Sequence, residues 1–75
     1  MKRVGTVVGV AQGVAVLRAE DAAEQRIGTV VLDEHLETVG RVVDVFGPVD
    51  RPYLAVSPEA GADPSLVGSI LYARS

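Results

Sequence analysis

His35, the single histidine of this 75-residue chain, stands directly after Asp33 and Glu34. These residue types ligate divalent metals or exchange protons in acid–base catalysis. Because the three are consecutive, a strand or turn splays them apart instead of converging them on one ion, and a working site would need further groups. The chain contains no cysteine, so thiolate metal sites, thiol nucleophiles and disulfides are all excluded. Ser57 and Ser65 adjoin prolines and have no base close by in the sequence, and they read as turn residues. Gly5, Gly9 and Gly13 are evenly spaced, but no Lys-Ser/Thr pair follows them and they open onto a strand, so they are not a phosphate-cradling loop. Asp44 is the carboxylate set into a strongly apolar strand. It reads as an outward-facing residue or as a cap on the turn that follows. No constellation implies an enzyme. The expectation is a protein with no catalytic residue, no metal and no cofactor.

The elements that must carry these residues are strands. Hydrophobic residues make up 48% of the chain and aromatics 4%, so the core has to be built from Val, Leu, Ile and Ala. Valine leads, and its β-branched side chain suits a pleated surface better than a helix. Short valine-rich runs alternate with Gly, Pro and charged clusters, the pattern of an all-β domain. The runs predict strands over residues 3–10, 14–19, 28–32, 38–45, 53–57 and 68–73. A turn at Gln12-Gly13 joins the first two into a hairpin. Residues 20–26 are polar and read as a loop or a single helical turn. A glycine precedes an aliphatic run at Gly5, Gly28, Gly40 and Gly68, at unequal intervals that exclude a solenoid. Glycine in such places marks a bend, a bulge or a close backbone approach, as the corners of a small closed barrel require. Paired valines, Val7-Val8 and Val42-Val43, must point to opposite faces. One of each pair enters the barrel, and the other lies under a loop or stays exposed for a partner.

Size and charge restrict the function further. Residues 1–75 are expected to form one domain, of a size at which a single core only just offsets chain entropy. No apolar run approaches the roughly 20 residues that span a bilayer, and the start MKRVGT lacks the apolar stretch of a signal peptide. A soluble, cytoplasmic protein is expected, without a membrane partner or a small-molecule substrate. The formal net charge of −3 argues against direct binding to nucleic-acid phosphates, which normally leaves a basic patch.

Residues 46–53, FGPVDRPY, are the most informative stretch. Phe46 is the only phenylalanine and Tyr53 one of two tyrosines. Pro48 and Pro52 fix their own φ and hold the preceding residues extended, and Gly47 permits the corner between Phe46 and Pro48. The result is a stiff loop between two strands. Residue types leave two readings open, which are compatible if Phe46 packs inward and Pro48-Val49 face out: Phe46 and Tyr53 are core aromatics flanking a rigid hairpin, or Phe46, Pro48, Val49 and Pro52 form a pre-ordered docking surface that loses little entropy on binding.

The longer stretch GRVVDVFGPVDRPY, residues 40–53, resembles the signature of the GAR/NAF family of H/ACA ribonucleoprotein proteins, in which a glycine-led valine strand runs into FGPV and then PY. RVGTVVGVAQGVAVLRA is similar to that family's first hairpin, GTVVLDEHLETVG to its central strand pair and VGSILYA to its closing strand. The glycine/arginine-rich tails of eukaryotic members and the long extension of the assembly factor are both missing. What the resemblance implies is a six-stranded split β-barrel like that of translation factors. Such a barrel docks on the catalytic domain of a dyskerin-type pseudouridine synthase. It meets the H/ACA guide RNA only indirectly, and it promotes substrate loading and product release in rRNA modification and ribosome biogenesis. The alternatives are an assembly factor of NAF type and a stand-alone RNA-binding barrel. By position, the partner-binding residues implied are Asp44, Val45, Phe46, Gly47, Pro48, Val49, Pro52 and Tyr53.

Overall fold

Alternation of apolar residues inward and polar or small residues outward organises each strand of the computed structural model, which describes residues 2–19 and 26–74. There are six strands: β1 (Lys2–Ala11), β2 (Val14–Ala19), β3 (Val30–Leu32), β4 (Thr38–Phe46), β5 (Tyr53–Pro58) and β6 (Ile70–Ala73). One 3-10 turn, Pro64–Leu66, precedes β6. Every strand lies within a predicted run or extends it by a residue. β3 and β6 are shorter than expected, starting two residues after Gly28 and Gly68, which are turn residues with φ of 95° and 93°. Ser65 lies in the 3-10 turn, but Ser57 belongs to β5 and not to a turn. Most of the expected loop or helical turn over residues 20–26 lies outside the described residues.

The strands pair antiparallel in the order β1-β2-β5-β4-β3-β6, and β6 returns to β1 to close a barrel. Among the described residues every strand therefore has a paired neighbour on both sides. At the hairpin between β1 and β2, Gln12 and Gly13 both have positive φ, 52° and 82°, the two-residue turn whose twist matches that of its strands. Register shifts interrupt the ladders at Val7/Gly9, Arg3/Gly5, Val31/Leu32 and Val42/Asp44. Each local break adds bend, and so few strands need strong bending to close. Gly5 and Gly40 serve the same end differently. A Cβ on Gly5 would clash with the carbonyl oxygen of Arg18, and one on Gly40 with that of Ser57. Only glycine lets these strands approach.

The barrel interior is wholly aliphatic. Val4, Val7, Ala15, Leu17, Ala19, Val31, Val42, Leu54, Val56 and Leu71 form its cluster. Among the described residues no polar or charged side chain is buried. The valine pairs split as their alternation requires: Val7 and Val42 are each 1% exposed, against 50% for Val8 and 46% for Val43. The outer valines remain open to solvent.

Candidate docking site

β4 and β5 run side by side until Phe46 faces Tyr53 in register, and residues 47–52 connect them at that end of the barrel. Just before the corner β4 carries a bulge, between Val42 and Asp44. The Val45 N–H donates to Asp44 Oδ1 at 2.8 Å. Asp44 is exposed; it faces outward as expected, and its carboxylate holds the bulge rather than capping the loop beyond it. Val45 is half-buried and packs on the core cluster, so it anchors the strand.

Phe46 lies outside the barrel. Its ring is stacked on that of Tyr53, with centroids 5.8 Å apart and planes inclined by 23°, and Phe46 remains 44% exposed. The all-aliphatic interior has no place for it, which settles the choice between core aromatics and a surface pair. Arg18 of β2, opposite Tyr53 in register, completes the row: its Nη1 donates to the Tyr53 hydroxyl at 3.0 Å. The guanidinium carbon lies 5.3 Å from the ring centroid, within cation–π range. Phe46, Tyr53 and Arg18 thus form a continuous exterior row across three neighbouring strands. Tyr53 is held from both sides.

Beyond Phe46, Gly47 has a φ of 91°, and a Cβ there would come 3.0 Å from Tyr53 Cδ2. Both the backbone angle and the adjacent ring demand glycine. Pro48 is exposed, and Val49 is 94% exposed, an unusual position for an aliphatic side chain fixed between two prolines. Pro52 differs from the expected outward position. It is buried, and its carbonyl accepts the Ala19 N–H at 3.0 Å, which pins the loop to β2. The outward-facing members of the predicted set are therefore Asp44, Phe46, Gly47, Pro48, Val49 and the half-buried Tyr53, while Val45 and Pro52 hold them in place. Val43, the outer member of its valine pair, extends the surface as the alternation allowed, and so does Arg18, which the sequence did not pick out. Arg18 is 35 residues from Tyr53 along the chain, and no local signal announces their pairing.

The other candidate residues are occupied with local structure. Asp33 Oδ1 accepts the N–H groups of His35 (2.8 Å) and Glu37 (3.0 Å), capping the turn between β3 and β4. His35 Nε2 is 3.8 Å from Glu34 Oε1, both side chains being 77% exposed. Among the described residues no three His, Asp or Glu side chains gather as metal ligands.

No family model matches the chain. An uncharacterised protein of Methanothermobacter thermautotrophicus is 29% identical over 76 residues, covering 96% of this chain and 82% of that protein. An uncharacterised protein of Methanocaldococcus jannaschii is 43% identical over 42 residues, covering 56% of this chain and about half, 51%, of that protein. Among solved structures, the Gar1 domain of NAf1 matches with a TM-score of 0.70 at 15% identity, over 97% of this chain and 85% of that domain. The chain has the Gar1-domain fold. In the Gar1-like barrel the FGPV loop is an external feature on a rigid frame, distinct from the aliphatic interior.

Proposed function

We propose that this Gar1-like barrel is a non-catalytic subunit of an H/ACA guide-RNA pseudouridylation particle, and that it docks on the catalytic domain of the dyskerin-type pseudouridine synthase through Phe46, Pro48, Val49 and their neighbours. The observation that carries the reading is the placement of Phe46 and Val49: apolar side chains on a stiff loop, outside a barrel that has already closed its core. An aromatic anchor beside a small rigid apolar loop is what a protein interface uses as its centre. Pre-ordering by Pro48, Gly47 and the Tyr53 stack lowers the entropy lost on association. The motif in residues 40–53 supplies the identity of the partner, and the Gar1-domain fold supports it.

In this reading the subunit touches guide RNA only through the particle, consistent with its net charge of −3. It contributes to rRNA modification by biasing the synthase between substrate-loading and product-releasing arrangements, in the cytoplasm of an archaeal-type cell. The test is reconstitution of the synthase and guide RNA with and without this chain under multiple-turnover conditions. Faster turnover with the chain present, lost with Val49→Asp, is expected. A stable complex with unchanged turnover would retain the partner and refute the mechanism; no complex at all would refute both. A second reading, an assembly factor, is favoured by one observation, that a matching solved structure is the Gar1 domain of NAf1. It predicts that the chain leaves the mature particle, and sedimentation of the assembled particle separates the two.

A further inference from the structure

The opposite end of the barrel has a different surface. Thr38 and Val39 begin β4 and Pro58 ends β5, roughly 20 Å along the strands from Phe46 at about 3.3 Å per residue. Two adjoining depressions open there. One, of about 540 Å³, lies between the Asp33–Glu37 turn and the segment from Leu66 to Tyr72. The other, of about 360 Å³, lies between the ends of β4 and β5 and the 3-10 turn. Asp33, Val39 and Leu66 line both, so the two form one continuous groove. Its apolar floor includes Val39 and Leu66, half-buried and packed on the barrel core. Val67, 51% exposed, adds an accessible apolar wall.

Apart from His35, which lines the first depression beside Glu34, the charged side chains of the rim are carboxylates. Asp33, Glu34, Glu37, Glu59 and Asp63 line the groove, and none of the seven lysines and arginines does. Of the described carboxylates only Asp44 and Asp50 lie elsewhere, so among the described residues five of the seven carboxylates line this groove and no lysine or arginine does. Two of the five have local structural work: Asp33 caps the β3–β4 turn and Asp63 accepts the Ser65 N–H at 2.9 Å. Glu34, Glu37 and Glu59 cap no turn within the described fold and are exposed; Glu34 Oε1 has His35 Nε2 3.8 Å away.

We infer that this groove binds an extended basic peptide segment in which arginine or lysine alternates with apolar residues, its apolar side chains on Val39 and Leu66 and its cations against Glu34, Glu37 and Glu59. Charge complementarity selects the occupant. A nucleic acid or acidic peptide would meet carboxylates on every side, and an uncharged apolar segment would leave the rim unsatisfied. Two open depressions in line suit an extended chain, whose alternate side chains point the same way. Nothing in this surface overlaps the Phe46 loop, so the barrel can hold two partners at once.

The experiment titrates the isotopically labelled chain with a short synthetic peptide of alternating arginine and leucine and follows its amide resonances by NMR. Saturable shifts are expected at Val39, Leu66, Val67 and Tyr72, with none at residues 46–53. A peptide with glutamate in place of arginine should produce no shifts, and an all-arginine peptide should bind more weakly for lack of apolar contact. The triple variant Glu34→Gln, Glu37→Gln, Glu59→Gln changes only exposed side chains, and it should weaken binding about tenfold, in line with three exposed ion pairs. Shifts that track Asp44 and Asp50 as strongly as the groove, an unaffected triple variant, or equal binding by all-arginine peptide would each overturn the inference. Concentration-dependent shifts without peptide, abolished in the triple variant, would overturn it in favour of self-association. Because docking on the synthase is read out at the other end, failure here leaves that proposal standing.

Discussion

Replacing Gly40 by alanine tests the claim that this glycine is required by backbone crowding and not by flexibility. The new Cβ would clash with the Ser57 carbonyl oxygen and lie 2.8 Å from its carbon and 2.9 Å from Pro58 Cα. All three are backbone atoms, so no rotamer change relieves the clash and β4 must move away from β5. That movement strains the neighbouring Glu59 N–H to Val39 carbonyl hydrogen bond, 2.8 Å long, which contributes about 1 kcal/mol net. It also displaces the Val42–Val56 pair, both at most 1% exposed, and a forced shift in a packed core costs about 1–3 kcal/mol. The sum is about 2–4 kcal/mol, a large share of the stability of so small a domain. At about 4–8 °C per kcal/mol for this chain length, the Tm should fall by roughly 8–32 °C. The control is Gly9→Ala. Nothing lies within 4 Å of a Cβ at Gly9, and removing unfolded-state freedom there should stabilise by about 0.5 kcal/mol. Thermal and urea unfolding followed by circular dichroism measures both. If Gly40→Ala unfolds within about 1 kcal/mol of the parent, or both glycines respond alike, the crowding argument fails.

Val49→Asp should leave the Tm unchanged within about 2 °C, because the side chain is 94% exposed; binding to the synthase, measured by calorimetry, should weaken at least about tenfold, and undiminished binding would remove the loop from the interface. Phe46→Ala should cost about 1 kcal/mol of stability through loss of the Tyr53 stack, but about 2 kcal/mol of docking energy, roughly 30-fold in Kd; equal losses in both assays would make Phe46 a purely structural residue. Leu54→Ala, at a site fully enclosed, should destabilise by about 3 kcal/mol in urea unfolding, and a markedly smaller loss would mean that the barrel interior collapses around the cavity.

Strand positions were legible from residue order alone. The Val-rich runs bounded by Gly and Pro place all six strands, because a residue's tendency to pleat and the two-residue alternation of faces act within a few neighbours. The Gln12-Gly13 turn is equally local: its two positive φ angles, 52° and 82°, depend only on the hairpin it closes. That one valine of each pair goes inside also follows from alternation, as Val7 and Val42 demonstrate.

Residues 46–53 mark where local reasoning stops. Two prolines and a glycine make the loop stiff whatever surrounds it, so its stiffness is a property of the sequence. Whether Phe46 fills the barrel or faces outward depends on how much room six aliphatic strands leave inside, and that is known only once all six have met. Arg18 meets Tyr53, and Pro52 becomes buried against the end of β2, because β5 pairs with β2 across the barrel, a register no short segment can announce. Four glycines that look alike in the sequence divide the same way. Gly28 and Gly68 serve turns through their own φ, whereas Gly5 and Gly40 are dictated by the carbonyls of Arg18 and Ser57. Backbone preference belongs to the residue itself. Contact belongs to the closed barrel, because strands distant in the chain become neighbours only when the ladder returns from β6 to β1.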